Sequence, residues 1–308
     1  MKILTNDIKN SIQRKMFNRG RDIDVAITNV LFDDMPSDFI LDALMFYQTK
    51  DGGFGGGLYI DNYNPNTSVY QIYEAYRILD MTGFDSSCEN ELFDKLINKS
   101  MNYLYNRETL VKNKWNPNVK SNNDFAHSSM FDYTSDFVEF NYAPTAAILG
   151  YTFLYCKPTK AYYKKALKMT EIMIKDFKEM KSLNKHEFIS FNIFLNCIKR
   201  CNLFINEQAM IEEKLVRLAK EVVSLEFTNS SLIHPLDCAL YLNDQELNEL
   251  KEKQLDHIID SIEPHGLWEK KDSWGHNKYA EEDSAKLKWI GAQSVNNLYV
   301  LKLNNRVE

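Results

Sequence analysis

Apolar side chains recur along this chain at intervals of three and four residues, the spacing of one helix face. Segments with that period lie near residues 5–18, 21–32, 37–49, 67–81, 90–106, 142–157, 160–181, 186–202, 206–225, 234–243, 246–262 and 284–304, which predicts about twelve helices. No series of alternating apolar and polar residues recurs between turns, as an all-β fold requires. Asn66-Thr67-Ser68 precedes the stripe Val69, Ile72, Tyr73, Tyr76 and Leu79, a run of N-cap residues ahead of an apolar face. Pro65 sits before that cap, where it removes no helical hydrogen bond, and Gly83 follows Met81-Thr82 at a natural helix end.

The helices are of two kinds. Ala146 to Tyr155 is nearly free of charge, and a helix apolar on every side must be buried all round. The segment 160–181 instead carries Lys164, Lys165, Lys168, Glu171, Lys175, Asp176, Lys178 and Glu179 on one face and belongs outside. The two kinds roughly alternate, and short connections make sequential helices antiparallel neighbours. About six such hairpins, apolar helix inward, fit a double-layered ring: an (α/α)6 toroid, all-α, in one domain over 1–308. An open solenoid would give similar patterning. The longest weakly helical stretch, 107–140, is polar and aromatic and reads as an insertion at the rim.

Composition changes this picture little. A content of 44% hydrophobic and 26% charged residues is that of a globular protein. A net charge of -6 with both signs mixed offers no basic field for phosphates, so nucleic-acid binding is disfavoured. The start has no apolar signal region and no stretch is long enough to span a bilayer, so a soluble cytoplasmic protein is expected. Five scattered cysteines argue against a disulfide framework.

One short pattern repeats. Aligning Leu41-Asp42 with Leu255-Asp256 places Asp51-Gly52-Gly53-Phe54 on His265-Gly266-Leu267-Trp268 without a gap. In both copies a helix ends, a glycine allows a positive-φ turn, and an aromatic ring two residues on packs back on its neighbours. A weaker third copy ends at Trp115. The run from Gln48 to Gly57 resembles the glycine-aromatic repeat of the terpenoid cyclase and protein prenyltransferase superfamily, with Gln48, Gly52 and Phe54 at its Gln, Gly and aromatic positions. That resemblance implies the same toroid. The catalytic signatures of the superfamily are not found: Asp33-Asp34 stands without the rest of the cyclase acid motif, and Asp237-Cys238 lacks the spacing of the prenyltransferase zinc ligands.

Several groups of residues carry candidate chemistry. In 51–64 the glycines permit close approach of a ligand, Asp51 and Asp61 are candidate acids, and Phe54, Tyr59 and Asn62 are candidate contacts. Turn glycines around a packed Phe54 are the structural alternative. His234 shares a helix face with Asp237 and Cys238, as an acid–base pair or metal corner would, although Asp237 could equally cap the turn. Cys197 and Cys201 share a face but read as inert core thiols. In the insertion, His127, Tyr133 and Asp136 lie among Asp124, Asp132 and Glu139, carboxylates and aromatics of the sort a glycan or a cation needs. Near the C-terminus Trp268, Tyr279 and Trp289 read as packing, with Trp274 and His276 lining the mouth. No metal or cofactor is expected.

The resulting expectation is a cyclase- or prenyltransferase-like toroid that holds a small apolar or amphipathic molecule in a central cavity. A carbohydrate-active (α/α)6 enzyme with paired carboxylates and a non-catalytic scaffold are the alternatives.

Overall fold

The computed structural model describes residues 1–106, 110–134, 141–270, 272–275 and 278–308. Among these residues twelve α-helices follow one another: α1 (Asn6–Arg19), α2 (Asp22–Phe32), α3 (Asp38–Met45), α4 (Val69–Met81), α5 (Glu91–Asn106), α6 (Thr145–Tyr155), α7 (Ala161–Glu179), α8 (Lys185–Arg200), α9 (Ile205–Val222), α10 (Pro235–Ala239), α11 (Gln245–Asp260) and α12 (Glu281–Leu303). Each segment of helical period contains one of them. The largest shortfalls are at the C-terminal ends of α3 and α10. None of the helices searched is long and apolar enough to cross a membrane.

The insertion carries structure that periodicity did not announce. β1 (Leu110–Val111) pairs antiparallel with β2 (Lys114–Trp115), Leu110 opposite Trp115. Two short 3-10 turns follow, Lys120–Asp124 and Ser129–Phe131. Lys112 and Asn113 both take positive φ in the hairpin turn, a conformation asparagine tolerates.

Helices α4 and α6 differ from α7 as their patterns require. Every residue of α6 is buried, and in α4 only Arg77 and Asp80 are not. α7 instead buries one face, Tyr163, Ala166, Met169, Thr170, Met173, Ile174 and Phe177, and leaves its lysines outside. α6 packs on α4, α7 and α8; α8 packs on α9 and α10; α10 packs on α9 and α11. The odd helices α3, α5 and α7 touch in sequence, and α12 packs on both α1 and α2.

The repeated glycine-aromatic turn sits at odd-to-even joints. Gly52 and Gly266 have φ of +97° and +83°, which a side chain would oppose. The aromatic residue that follows is buried, and where it is a tryptophan it bonds both flanking helices. Trp268 Nε1 donates to the Ile258 carbonyl near the end of α11 (2.7 Å), and its amide donates to Ser294 Oγ of α12 (3.3 Å). Trp115 repeats this: Nε1 donates to the Leu104 carbonyl of α5 (2.9 Å) and the amide to Thr145 Oγ1 of α6 (3.0 Å). Phe54 has no ring donor; its carbonyl instead accepts from Ser68, just ahead of α4 (3.2 Å).

The two chain ends meet. Leu4 and Val307 form a bridge, and Arg306, 1% exposed, donates to the Lys2 carbonyl and to the carboxylates of Glu252 and Asp256 on α11. Burial alone would raise the Asp256 carboxyl, but the Lys2 amide, the Arg306 guanidinium and the α-amino group outweigh it and hold it below the usual carboxylate range.

Two outcomes are expected. Trp268→Phe keeps the ring but leaves the Ile258 carbonyl without its donor, so chemical denaturation should register a loss of about 1–2 kcal/mol. Arg306→Met should cost about 2 kcal/mol near neutral pH, less than the roughly 3–5 of a fully buried pair because both acids keep water. A depressed carboxylate stabilises above its unfolded value near 3.9 and stops doing so as pH falls through its folded value. The gap between wild type and Arg306→Met should therefore persist above about pH 4 and close below it.

Candidate functional site

Three distant segments are drawn together by main-chain pairing. Asn62 and His127 form an antiparallel bridge; the Tyr63 amide donates to Ala126 and the Ser128 amide to Asp61 (both 2.9 Å). The Ser129 amide in turn donates to the Trp274 carbonyl (2.9 Å). The glycine-rich loop, the insertion and the segment before α12 thus share one face, and Asp61, Tyr59, Asn62, His127 and Trp274 meet there.

Asp61 is the centre of this group. It is 7% exposed, and its Oδ1 accepts from Trp274 Nε1 (2.8 Å) and Trp289 Nε1 (2.6 Å). Its Oδ2 accepts from Lys270 Nζ (2.9 Å), which also lies 3.8 Å from the Trp289 ring centre. A carboxylate bound by two indoles and an ammonium fixes their positions. Burial, and next the Asp61 charge, push the Tyr59 phenol well above its usual range. The Tyr59 ring is edge-on to Phe131 (5.4 Å between centroids) and Trp289 (6.2 Å), and Tyr70 packs against Phe131 (5.3 Å).

Amides support this aromatic wall from behind. Asn62 Nδ2 and Asn64 Nδ2 both donate to Asn122 Oδ1 (3.3 and 2.9 Å), and Asn122 donates to the Phe131 carbonyl (3.0 Å). Gln71 bonds the Asn62 carbonyl and the Tyr59 amide (2.8 and 2.7 Å). Asn62 is therefore a loop-fixing residue. His127, buried, donates from Nδ1 to the Phe125 carbonyl (2.7 Å) and has Nε2 at 2.9 Å from Asp132 Oδ1. Tyr133 is held through its backbone by Asn123 (2.9 and 2.8 Å).

The other candidates serve turns. Asp51 accepts from Thr49 and Thr67 hydroxyls (both 2.6 Å), closing the loop across its neck. A side chain at Gly55 would strike the Pro65 carbonyl at 2.6 Å, so at this glycine the close approach is to the chain itself. Phe54 is core. Asp237 accepts from the His234 amide (2.9 Å) and pairs with Lys185 (3.0 Å), a capping arrangement at α10. His234 Nε2 contacts the Glu226 carbonyl (3.2 Å), and burial pushes the Cys238 thiol up to about 12. Asp136 and His276 lie outside the described residues.

A second polar group comes from residues the periodicity classed only as helix. On α4, Glu74 holds Arg77 with two bonds (2.9 and 2.8 Å), and Arg77 also donates to Asn296 Oδ1 of α12 (2.9 Å). One turn on, Asp80 accepts from Arg200 of α8 (2.6 Å), and burial raises its carboxyl against the pull of that arginine. Tyr73, Tyr151 of α6, Tyr241 after α10 and Tyr299 of α12 interact electrostatically with these charges, and Tyr241 and Tyr299 bond each other. Side chains of α4, α6, α8 and α12 therefore converge. Arg77 keeps a quarter of its side-chain surface open, and Gln293, Asn296 and Tyr299 are half-buried. The signal for this group was present in α4: Glu74, Arg77 and Asp80 are the charges in a helix that otherwise reads as core.

No family model matches the chain, and neither the curated proteins nor the solved structures compared with it gave a match.

Removing polar groups should separate the two clusters. Asp61→Ala leaves two indoles and an ammonium without their acceptor and should cost about 3 kcal/mol in denaturant unfolding. Tyr151 has a buried hydroxyl with no partner, so Tyr151→Phe should leave stability equal or higher. Tyr76→Phe, which breaks a 2.7 Å bond to Ser100, should instead lose about 1 kcal/mol.

Proposed function

We propose that the twelve helices close into an (α/α)6 ring and that its interior binds a small amphipathic molecule, as the likeness of Gln48–Gly57 to the terpenoid cyclase and prenyltransferase repeat implies. The observation that carries this reading is the succession of surfaces along α4 and α12. Tyr59, Tyr70, Phe131 and Trp289 form an aromatic wall, and the Glu74–Arg77–Asn296 group lies further along the same two helices. Aromatic faces suit an apolar tail and the polar group suits a head.

Ring closure has its own support. α12 packs on α1 and α2, the chain ends pair, and the same aromatic turn recurs at three odd-to-even joints. Binding is favoured over acid catalysis because the buried carboxylates are engaged. Both oxygens of Asp61 and both of Glu74 hold donors, which also weakens the paired-carboxylate glycosidase reading.

The test is ligand-induced stabilisation. Isoprenoid alcohols and short-chain detergents below their micelle concentration should raise Tm by several degrees, following mass action. They should also perturb tryptophan emission chiefly through half-buried Trp289, since Trp115, Trp268 and Trp274 are sealed. A panel that moves neither signal would overturn the proposal.

A further inference from the structure

Every charged side chain of the convergent polar group is neutralised inside the protein. Glu74 and Arg77 form a two-pronged pair, and Asp80 and Arg200 form a second. The flanks repeat the arrangement: Arg21 holds Asp24 with two bonds (2.9 and 2.8 Å), and Lys270 holds Asp61 (2.9 Å). Arg77 has four of its N–H groups committed, two to Glu74, one to Asn296 and one to Met81 Sδ. What remains along this face is uncharged: the phenols of Tyr73, Tyr241 and Tyr299 and the amides of Gln293 and Asn296. Burial pushes Tyr73 up to about 12, so that phenol is neutral at physiological pH.

Among the described residues, an ionic head group entering here would meet no spare counter-charge. A carboxylate or phosphate would find the Arg77 charge already neutralised by Glu74 and would compete with it, and an ammonium would compete with Arg77 for Glu74. Either exchange strands a charge in a partly desolvated site, where the penalty is several kcal/mol per ion. A hydroxyl needs only hydrogen bonds, and phenols and amides supply both donors and acceptors. We infer that the ligand's head group is uncharged and hydroxyl-like, and that the Glu74–Arg77 pair enforces this selection. The inference rests on the ligand-binding ring proposed above.

One hydrocarbon chain with three heads tests it. Farnesol, farnesoate and farnesylamine are titrated against the full-length protein at neutral pH, reading Trp289 emission and Tm. Farnesol should bind at least about tenfold more tightly than either ion, a gap of about 1.4 kcal/mol. Equal or tighter binding of an ion overturns the inference and leaves the ring reading standing. No binding of any of the three removes both. Glu74→Gln keeps the side-chain shape but frees Arg77, so it should reverse the order in favour of farnesoate. Arg77→Gln should favour farnesylamine by the same logic. Circular dichroism establishes that each variant folds, and an order unchanged in a folded variant refutes selection by the pair. Should either variant fail to fold, the wild-type series decides alone.

Discussion

Helix α6 has no side that water can wet: each residue from Thr145 to Tyr155 is buried. A helix of that kind is stable only when other helices cover its whole circumference. Here α4, α7 and α8 pack on it, and α8 in turn is covered by α9 and α10. Burial of α6 therefore demands helices that cover it, and the lysine-bearing face of α7 is where one of them meets solvent. The polar groups of α4 follow from the same constraint. Arg77 and Asp80 are the two residues of α4 that are not buried, yet both remain largely enclosed, and each is met by an opposite charge, Glu74 and Arg200.

Helical periodicity was readable because each helix buries a stripe, and a stripe is a local property of sequence. The twelve segments accordingly contain twelve helices. α10 departed most. Its ten-residue pattern yields Pro235–Ala239, and the Leu242 carbonyl just beyond it accepts from Lys251 Nζ (3.1 Å). The β1–β2 hairpin was hidden because two-residue strands leave no period to detect.

The residues of the candidate site were legible in its loops and illegible in its helices. Asp61, Tyr59, Asn62, His127 and Trp274 were picked out as polar or aromatic residues in turn-rich sequence, and main-chain pairing assembles them. Their roles differ from the expectation of a mouth acid, since Asp61 is a shared acceptor for Trp274, Trp289 and Lys270. Asp51, Phe54, His234 and Asp237 were chosen by the same local criteria but serve a loop neck, the core and a helix cap. Lys270, Arg77 and Arg200 went unnoticed because a lone cation on a helix or in a loop has meaning only once its distant partner is known.

The indole staples also bear on the order of assembly. Trp115 and Trp268 each reach back only about three helical turns of sequence, so these joints close small loops and cost little entropy to form. The pairing of Leu4 with Val307 spans nearly the whole chain and gains nothing until the intervening hairpins are in place. Helix hairpins fastened by their own tryptophans would thus fold as local units, and the junction of the two ends would be the last seam to shut and the first to open.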